Sequence, residues 1–313
     1  MIRSRWIDAL LWLLVLPFTV WAVLRISGWT PTWHWVSLVA FTPYVAAASV
    51  LPLILTLVLR RRAVALTAFV TTIAFASVVM PRLLPDGNPS AHGARLRVLS
   101  VNLAVGQADV TAVMKLVRAV RPDVLTVQEI TPQAAGNLDR AGLRTLLPHV
   151  VDRSSLDLPG SGIHARYPLT ELPMIEIGGF RQARATLQHP SGQRVEVVSV
   201  HPCSPSDVHD TPCWADGLKA LPRAGGVLKV LAGDFNSTLD HRPLRDLLGS
   251  GYRDAADARG KALIPTWPQR WWNVPGVTLD HVLADRRMAV EDFSVHSLPG
   301  TDHRAVFAAL RLP

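Results

Sequence analysis

The 313 residues are 49% hydrophobic and 18% charged, with a mean hydropathy of +0.23, which excludes a disordered chain and an evenly solvated globular one. The net charge of +8 divides into +5 over residues 1–90 and +3 over residues 91–313, so the larger part lacks the basic excess of a protein that coats nucleic acid.

Three apolar runs come first. Residues 6–27 are mostly apolar, with Asp8 near the start and Arg25 near the end. Residues 35–59 and 63–80 contain no charge at all. A bilayer core takes about 20 apolar residues as a helix. Three transmembrane helices are therefore expected, at about 6–27, 35–59 and 63–80, making residues 1–81 a membrane domain. A signal peptide is the other reading of the first run, but no clean small-residue cleavage site follows it and two further spans come next. Pro17, Pro43 and Pro52 are expected to kink their helices, and Trp6, Trp29, Trp33 and Trp35 lie near span ends, where aromatic rings meet the interface. Arg3 and Arg5 precede the first span, and Arg60, Arg61 and Arg62 fill the turn before the third. The positive-inside rule then puts the N-terminus in the cytoplasm and, after three crossings of the plasma membrane, residues 82–313 outside.

Residues 82–94 (RLLPDGNPSAHGA) read as a linker. From residue 95 to 313 strands and helices alternate. Strands are expected at Leu96–Asn102, Val124–Glu129, Ala183–Gln188, Arg194–His201, 227–236, 278–284 and 304–311, with helices at Asp109–Val120 and near 242–248. Several of these strands end in a polar group: Asn102, Glu129, His201, and Asp234 with Asn236. Side chains alternate along a strand, so Asp234 and Asn236 are expected on one face, with Phe235 on the other. A turn built from Asp and Asn is the plainer reading of that stretch. Cys203 and Cys213 lie ten positions apart, and in an oxidising compartment such a pair is expected to bridge.

Seven pieces in this order resemble the endonuclease/exonuclease/phosphatase superfamily, which includes the DNase I-like nucleases, neutral sphingomyelinases and inositol polyphosphate 5-phosphatases. They are VLSVNL (Asn102), PDVLTVQEI (Glu129), GIHARYPL, VVSVHP (His201), LAGDFNS (Asp234, Asn236), LDHVL (Asp280) and GTDHRAV (Asp302, His303). The likeness spans about residues 95–312. It implies a four-layer α/β sandwich, two packed mixed sheets with helices outside. It also implies phosphoester hydrolysis by Asp234 acting on water, Asn236 and His201 meeting the phosphate, and His303 held by Asp280. Glu129, with Asn102 and Asp302, would bind Mg2+, or Mn2+ in its place. Two departures stand out: Thr301 replaces the usual serine before Asp302, and His164-Ala165 fall where a small or apolar residue and a serine are usual. Arg166 and Arg184 are further candidates for phosphate, and Trp271 and Trp272 for the mouth of the site or the membrane interface.

Three spans before an outside phosphatase-like domain resemble the VanJ-type membrane proteins of actinobacteria, linked to teicoplanin-class glycopeptide resistance and to dephosphorylation of undecaprenyl pyrophosphate. That resemblance implies a lipid-linked phosphate as substrate and membrane lipids as partners. Two readings stay open beside it. One is a tethered nuclease or phosphodiesterase, which needs phosphate-tracking Lys/Arg. The other is a non-catalytic receptor or scaffold, which has no use for both Glu129 and an Asp280–His303 pair.

Overall fold

The computed structural model describes residues 2–269 and 275–313. Five helices come first: α1 (Ile2–Ser27), α2 (Trp33–Val39), α3 (Thr42–Ala48), α4 (Val50–Val58) and α5 (Arg62–Val79). α1 and α5 pack through the buried side chains of Leu11, Val15, Val64 and Ala68. Thr19 and Thr71 join across the pair by a hydroxyl hydrogen bond of 2.9 Å, and Asp8 pairs with Arg61 at 3.4 Å at the end opposite the rest of the protein. Both helices are long and apolar enough to cross a membrane.

The run at 35–59 behaves differently from the expected continuous span. α2 meets Thr42–Val58 at a bend of 68°, so it counts as a third crossing only if the bent pair is taken together. Pro43 explains the break. Proline has no N–H to give and is tolerated only in a helix's first turn, so it starts α3 instead of continuing α2. α2 turns aside against the rest of the molecule, where Val36 is buried among the side chains of the main core.

The remainder is a two-sheet sandwich. In chain order its strands are β1 (Arg95–Asn102), β2 (Val124–Gln128), β3 (His149–Arg153), β4 (Ser161–Ala165), β5 (Leu169–Glu171), β6 (Ile175–Ile177), β7 (Phe180–Gln182), β8 (Arg184–Gln188), β9 (Arg194–Val200), β10 (Leu228–Asp234), β11 (Tyr252–Asp254), β12 (Asp280–Asp285), β13 (Ala289–Ser297) and β14 (Arg304–Arg311). One sheet runs β13-β14-β1-β2-β4-β3, the other β11-β12-β10-β9-β8-β5, and β6-β7 stand as a ribbon. β1–β2 and β9–β10 are parallel, and their other neighbours antiparallel. Alternation along β1 serves two cores. Leu96 and Val98 enter the core between the sheets. Leu99 and Val101 pack under the helices Val110–Val120 and Pro132–Arg140.

Gly233 shows how closely β9 and β10 approach. A Cβ there would lie 2.0 Å from the Val200 carbonyl oxygen, which is backbone and cannot move aside. Gly233→Ala should lower stability by about 3 kcal/mol, the upper end for overpacking. Thermal unfolding of the purified protein checks this, and an unchanged midpoint would refute it.

Residues 82–94 do not hang as a free tether. Asn88 donates to the Val290 carbonyl and accepts from the Val290 N–H, both at 2.9 Å, along the edge strand β13. Asp86 pairs with Arg253, and Gly93 N–H donates to the Leu312 carbonyl. A segment rich in Pro, Gly and small polar residues is pinned at three points, one of them the unpaired backbone groups of the edge strand.

The helices and the sandwich are joined by ions. Arg25, at the end of α1, donates to Asp240 at 2.8 Å. Arg82, just after α5, donates to both Asp240 oxygens at 2.7 and 2.6 Å. Asp240 is buried, and burial alone would raise its pKa, but Arg82 and Arg25 hold it below the ordinary carboxylate range. The next residue, His241, meets the Val36 carbonyl of α2 through Nε2 at 2.8 Å.

Candidate active site

Five of the strands bring polar side chains to one end of the sandwich. β1 ends at Asn102, β2 stops just before Glu129, β9 just before His201, β10 ends at Asp234, and β12 begins at Asp280. His303 immediately precedes β14. Asn102 Nδ2 donates to Glu129 at 3.0 Å and to Asp234 at 3.3 Å. His201 Nε2 lies 3.6 Å from Glu129 and 3.8 Å from Asp234. His303 Nε2 lies 3.5 Å from Asp234, and its Nδ1 is 2.9 Å from Asp280. Glu129 and Asn236 hold positive φ of 54° and 48°, a left-handed conformation that costs a non-glycine residue energy and often marks functional sites.

The two histidines are driven in opposite directions. Burial lowers the His201 pKa, and it outweighs Asp234, so His201 is neutral. Burial acts on His303 in the same sense, but Asp280 and Asp234 overcome it and raise its pKa to about 10. His303 is therefore an imidazolium between two carboxylates. Burial also pushes Glu129 and Asp234 up, the first against its Asn102 hydrogen bond and the second against the charge of His303.

These groups face a cavity of about 490 Å3. One side holds Glu129, His201, Asp234 and His303, with Asn236 beside them. Its apolar lining includes Val36, Ala40 and Phe41 of the N-terminal helices, at and beside the bend, together with Leu158, Phe180, Val277 and Leu279 of the sandwich. Ser204, Pro205 and Ser206 form part of the rim, and Ser37 of α2 donates to the Pro205 carbonyl at 3.3 Å. Cys203 and Cys213 form a disulfide that closes this loop.

A family model described as the Endonuclease/Exonuclease/phosphatase family matches residues 99–303. The chain belongs to that family. Among solved structures it is similar to an endonuclease/exonuclease/phosphatase from Beutenbergia cavernae DSM 12333, at 19% identity and a TM-score of 0.53, covering 70% of this chain and 72% of that one. It is also similar to D. rerio TDP2 humanized by 14 mutations, at 17% identity and a TM-score of 0.56, covering 69% and 99%. A family protein from Leptotrichia buccalis C-1013-b aligns at 15% identity and a TM-score of 0.52, covering 69% and 100%. At such identities the likeness is one of fold. No curated protein matches the sequence.

Endonuclease/exonuclease/phosphatase family members are hydrolases, generally dependent on a divalent metal. The donor set here fits a hard cation, since buried carboxylates whose pKa values are raised by desolvation gain from a nearby positive charge. Asp234, Asp280 and His303 lie close enough together to hold an ion. His303 is the obstacle in that trio, because it carries a proton and its Nδ1 is taken by Asp280. Glu129 is the better ligand.

Several expectations need correction. Asn102 Oδ1 accepts from the Ala104 N–H at 2.9 Å and its amide nitrogen points to Glu129 and Asp234, so the residue holds the two acids as it stands. Asp302 is exposed and accepts from Trp267 Nε1 at 2.9 Å; its charge still helps to raise the Glu129 pKa. Asn236 does not share a strand face with Asp234, because β10 ends at Asp234 and the chain turns left-handed. Its Nδ2 donates to the Pro202 carbonyl at 3.1 Å, and its N–H donates to Asp234 Oδ1 at 2.8 Å. Both residues line the cavity even so. Arg166 and Arg184 do not line it; they pair with Asp123 at 3.7 Å and Glu196 at 2.7 Å. His164 is buried on β4, pairing in register with Leu125, and is likewise outside the cavity. Trp271 and Trp272 lie outside the described residues.

Sequence reasoning missed His241, Asp240 and the α2 wall. Nothing in the spacing of TLDH at 238–241 marked it; Trp267 also lies at the cavity, where its Nε1 donates to Asp302.

Proposed function

We propose that this protein is a membrane-anchored, metal-dependent hydrolase that removes phosphate from a lipid-linked phosphate or pyrophosphate, such as undecaprenyl pyrophosphate, at the outer face of the membrane. The observation that carries this reading is the cavity wall. Val36, Ala40 and Phe41 belong to the uncharged run of the N-terminal helices and line the same cavity as the catalytic groups. A phosphate at Asp234 and His303 would then share its cavity with apolar surface, as an amphiphile requires. The basic turn Arg60–Arg62 lies at the end of the helices away from the sandwich, which supports an outer position for the hydrolase under the positive-inside rule.

The bound cation would be held by Glu129, with Asp302 near it, and would supply charge neutralisation at the phosphoryl oxygens. The chain's own groups do the rest. Asp234 takes a proton from water as the water oxygen attacks phosphorus. The bond from phosphorus to the leaving oxygen breaks, and that oxygen departs with the electron pair. The His303 imidazolium donates a charged hydrogen bond to a phosphoryl oxygen, an interaction that strengthens as negative charge develops. Neutral His201 faces the same phosphoryl group as a second donor.

A tethered nuclease is the competing reading. It is disfavoured by the engagement of Arg166 and Arg184 in ion pairs. Phosphate release from undecaprenyl pyrophosphate and nicking of plasmid DNA, measured side by side on detergent-purified protein, separate the two. Release from the lipid, abolished by EDTA and restored by Mg2+ or Mn2+, is the expected result. DNA cleavage with the lipid untouched would overturn the proposal.

A further inference from the structure

The catalytic cavity has a neighbour. A second cavity of about 220 Å3 runs between α3 and the sandwich, and Ala40 and Val277 belong to the walls of both. Pro43, Tyr44 and Ala47 line it from α3, with Leu239 and Leu263 opposite. Its polar groups are already engaged. Arg82 and Asp240 bind each other, Thr278 donates to the Ala262 and Ile264 carbonyls, and the Tyr44 hydroxyl donates to the Gly276 carbonyl at 2.7 Å. The space therefore calls for an apolar occupant. It adjoins the catalytic cavity at Ala40 and Val277 and continues along α3, a helix without charges. That order, anionic head first and hydrocarbon after, is the order of an amphiphile.

We propose that the hydrocarbon chain of the substrate leaves the catalytic cavity over Ala40 and lies in this second cavity against α3. The proposal rests on the lipid-phosphate reading and names the part of the substrate that reading leaves undefined. The 68° bend is what makes the path, since α2 walls the head-group cavity while α3 walls the chain cavity.

The test uses the full-length protein in detergent and prenyl pyrophosphates of increasing chain length at one mole fraction. In the wild-type protein kcat/KM should rise by roughly tenfold or more from the shortest chain to one that fills the cavity, because each buried methylene adds to binding. Ala40→Phe plugs the junction. Ala47→Trp fills the far cavity from an exposed position, so its bulk need not enter the core. Both should flatten the dependence on chain length. An undiminished rise in both variants, or a wild-type rate indifferent to chain length, would refute the path while leaving lipid hydrolysis standing. Cleavage of bis(p-nitrophenyl) phosphate with no prenyl pyrophosphate cleaved by the wild type would instead refute the lipid-phosphate reading, and the path with it.

Discussion

Asp234→Asn should lower kcat by about a thousandfold, within the range for loss of a positioned general base, and leave the fold intact. The reason lies in what the amide keeps and loses. Asparagine fills the same volume, and its oxygen can still accept the Asn236 N–H that Asp234 now accepts at 2.8 Å, while its amide nitrogen replaces Oδ2 and gives up the long 3.3 Å bond from Asn102 Nδ2. It cannot take a proton from water. It also removes one of the carboxylates that raise His303. Replacing a buried carboxylate whose pKa is already pushed up by desolvation should cost little stability. Single-turnover phosphate release together with a thermal melt reads both effects. Turnover within tenfold of wild type, with an unchanged melt, would remove Asp234 from the chemistry.

Asp240→Ala should destabilise the protein by about 3–5 kcal/mol, the cost of breaking a buried ion pair from one side. Arg25 and Arg82 would remain buried beside each other without their shared anion. The loss should be local first: His241 would be less well held against Val36, and α2 would loosen from the cavity. Faster proteolysis within residues 83–94 and a lower melting temperature in detergent are the measurements. The same triad sets a pH dependence. Asp240 has a folded pKa below its unfolded value, so its contribution is fully present above the unfolded carboxylate pKa of about 3.9 and fades as pH falls through the lower folded value. Wild-type stability should therefore drop below about pH 4 more steeply than that of the Asp240 variant. Equal acid sensitivity would show that the ions contribute nothing net.

The sandwich was legible in the sequence because its central strands are covered on both faces. β10 reads as a nearly unbroken apolar run, and Val230, Leu231 and Ala232 are fully buried. The site was legible for a related reason, since its polar residues interrupt such runs at their ends. The edges were not. β13 carries Glu291, Asp292 and His296, and its register slips between Val290 and Asp292, so no clean period survives. The α2 wall was hidden because an apolar residue lining a cavity and one facing a bilayer look the same on paper. Arg25 was read as a charge near the end of a span and Arg82 as the start of a linker. Only the distant Asp240 shows that they are buried links, and no local pattern announces a partner that far along the chain. Arg166 and Arg184 failed in the opposite sense, because an arginine near a motif resembles a phosphate contact until its carboxylate partner is seen.

The separation of the triad in sequence has a consequence for biogenesis. Arg25 and Asp240 lie 215 positions apart, and Arg82 and Asp240 lie 158 apart. Synthesis proceeds from the N-terminus, so both guanidiniums emerge long before the carboxylate that neutralises them. Until then they must stay hydrated at the ends of α1 and α5, and neither end can bury. Final seating of the helices thus waits for the middle of the sandwich to be made. A chain stalled before residue 240 should carry its apolar helices but remain unlocked, open to chaperones and proteases at the very joint that the finished protein closes.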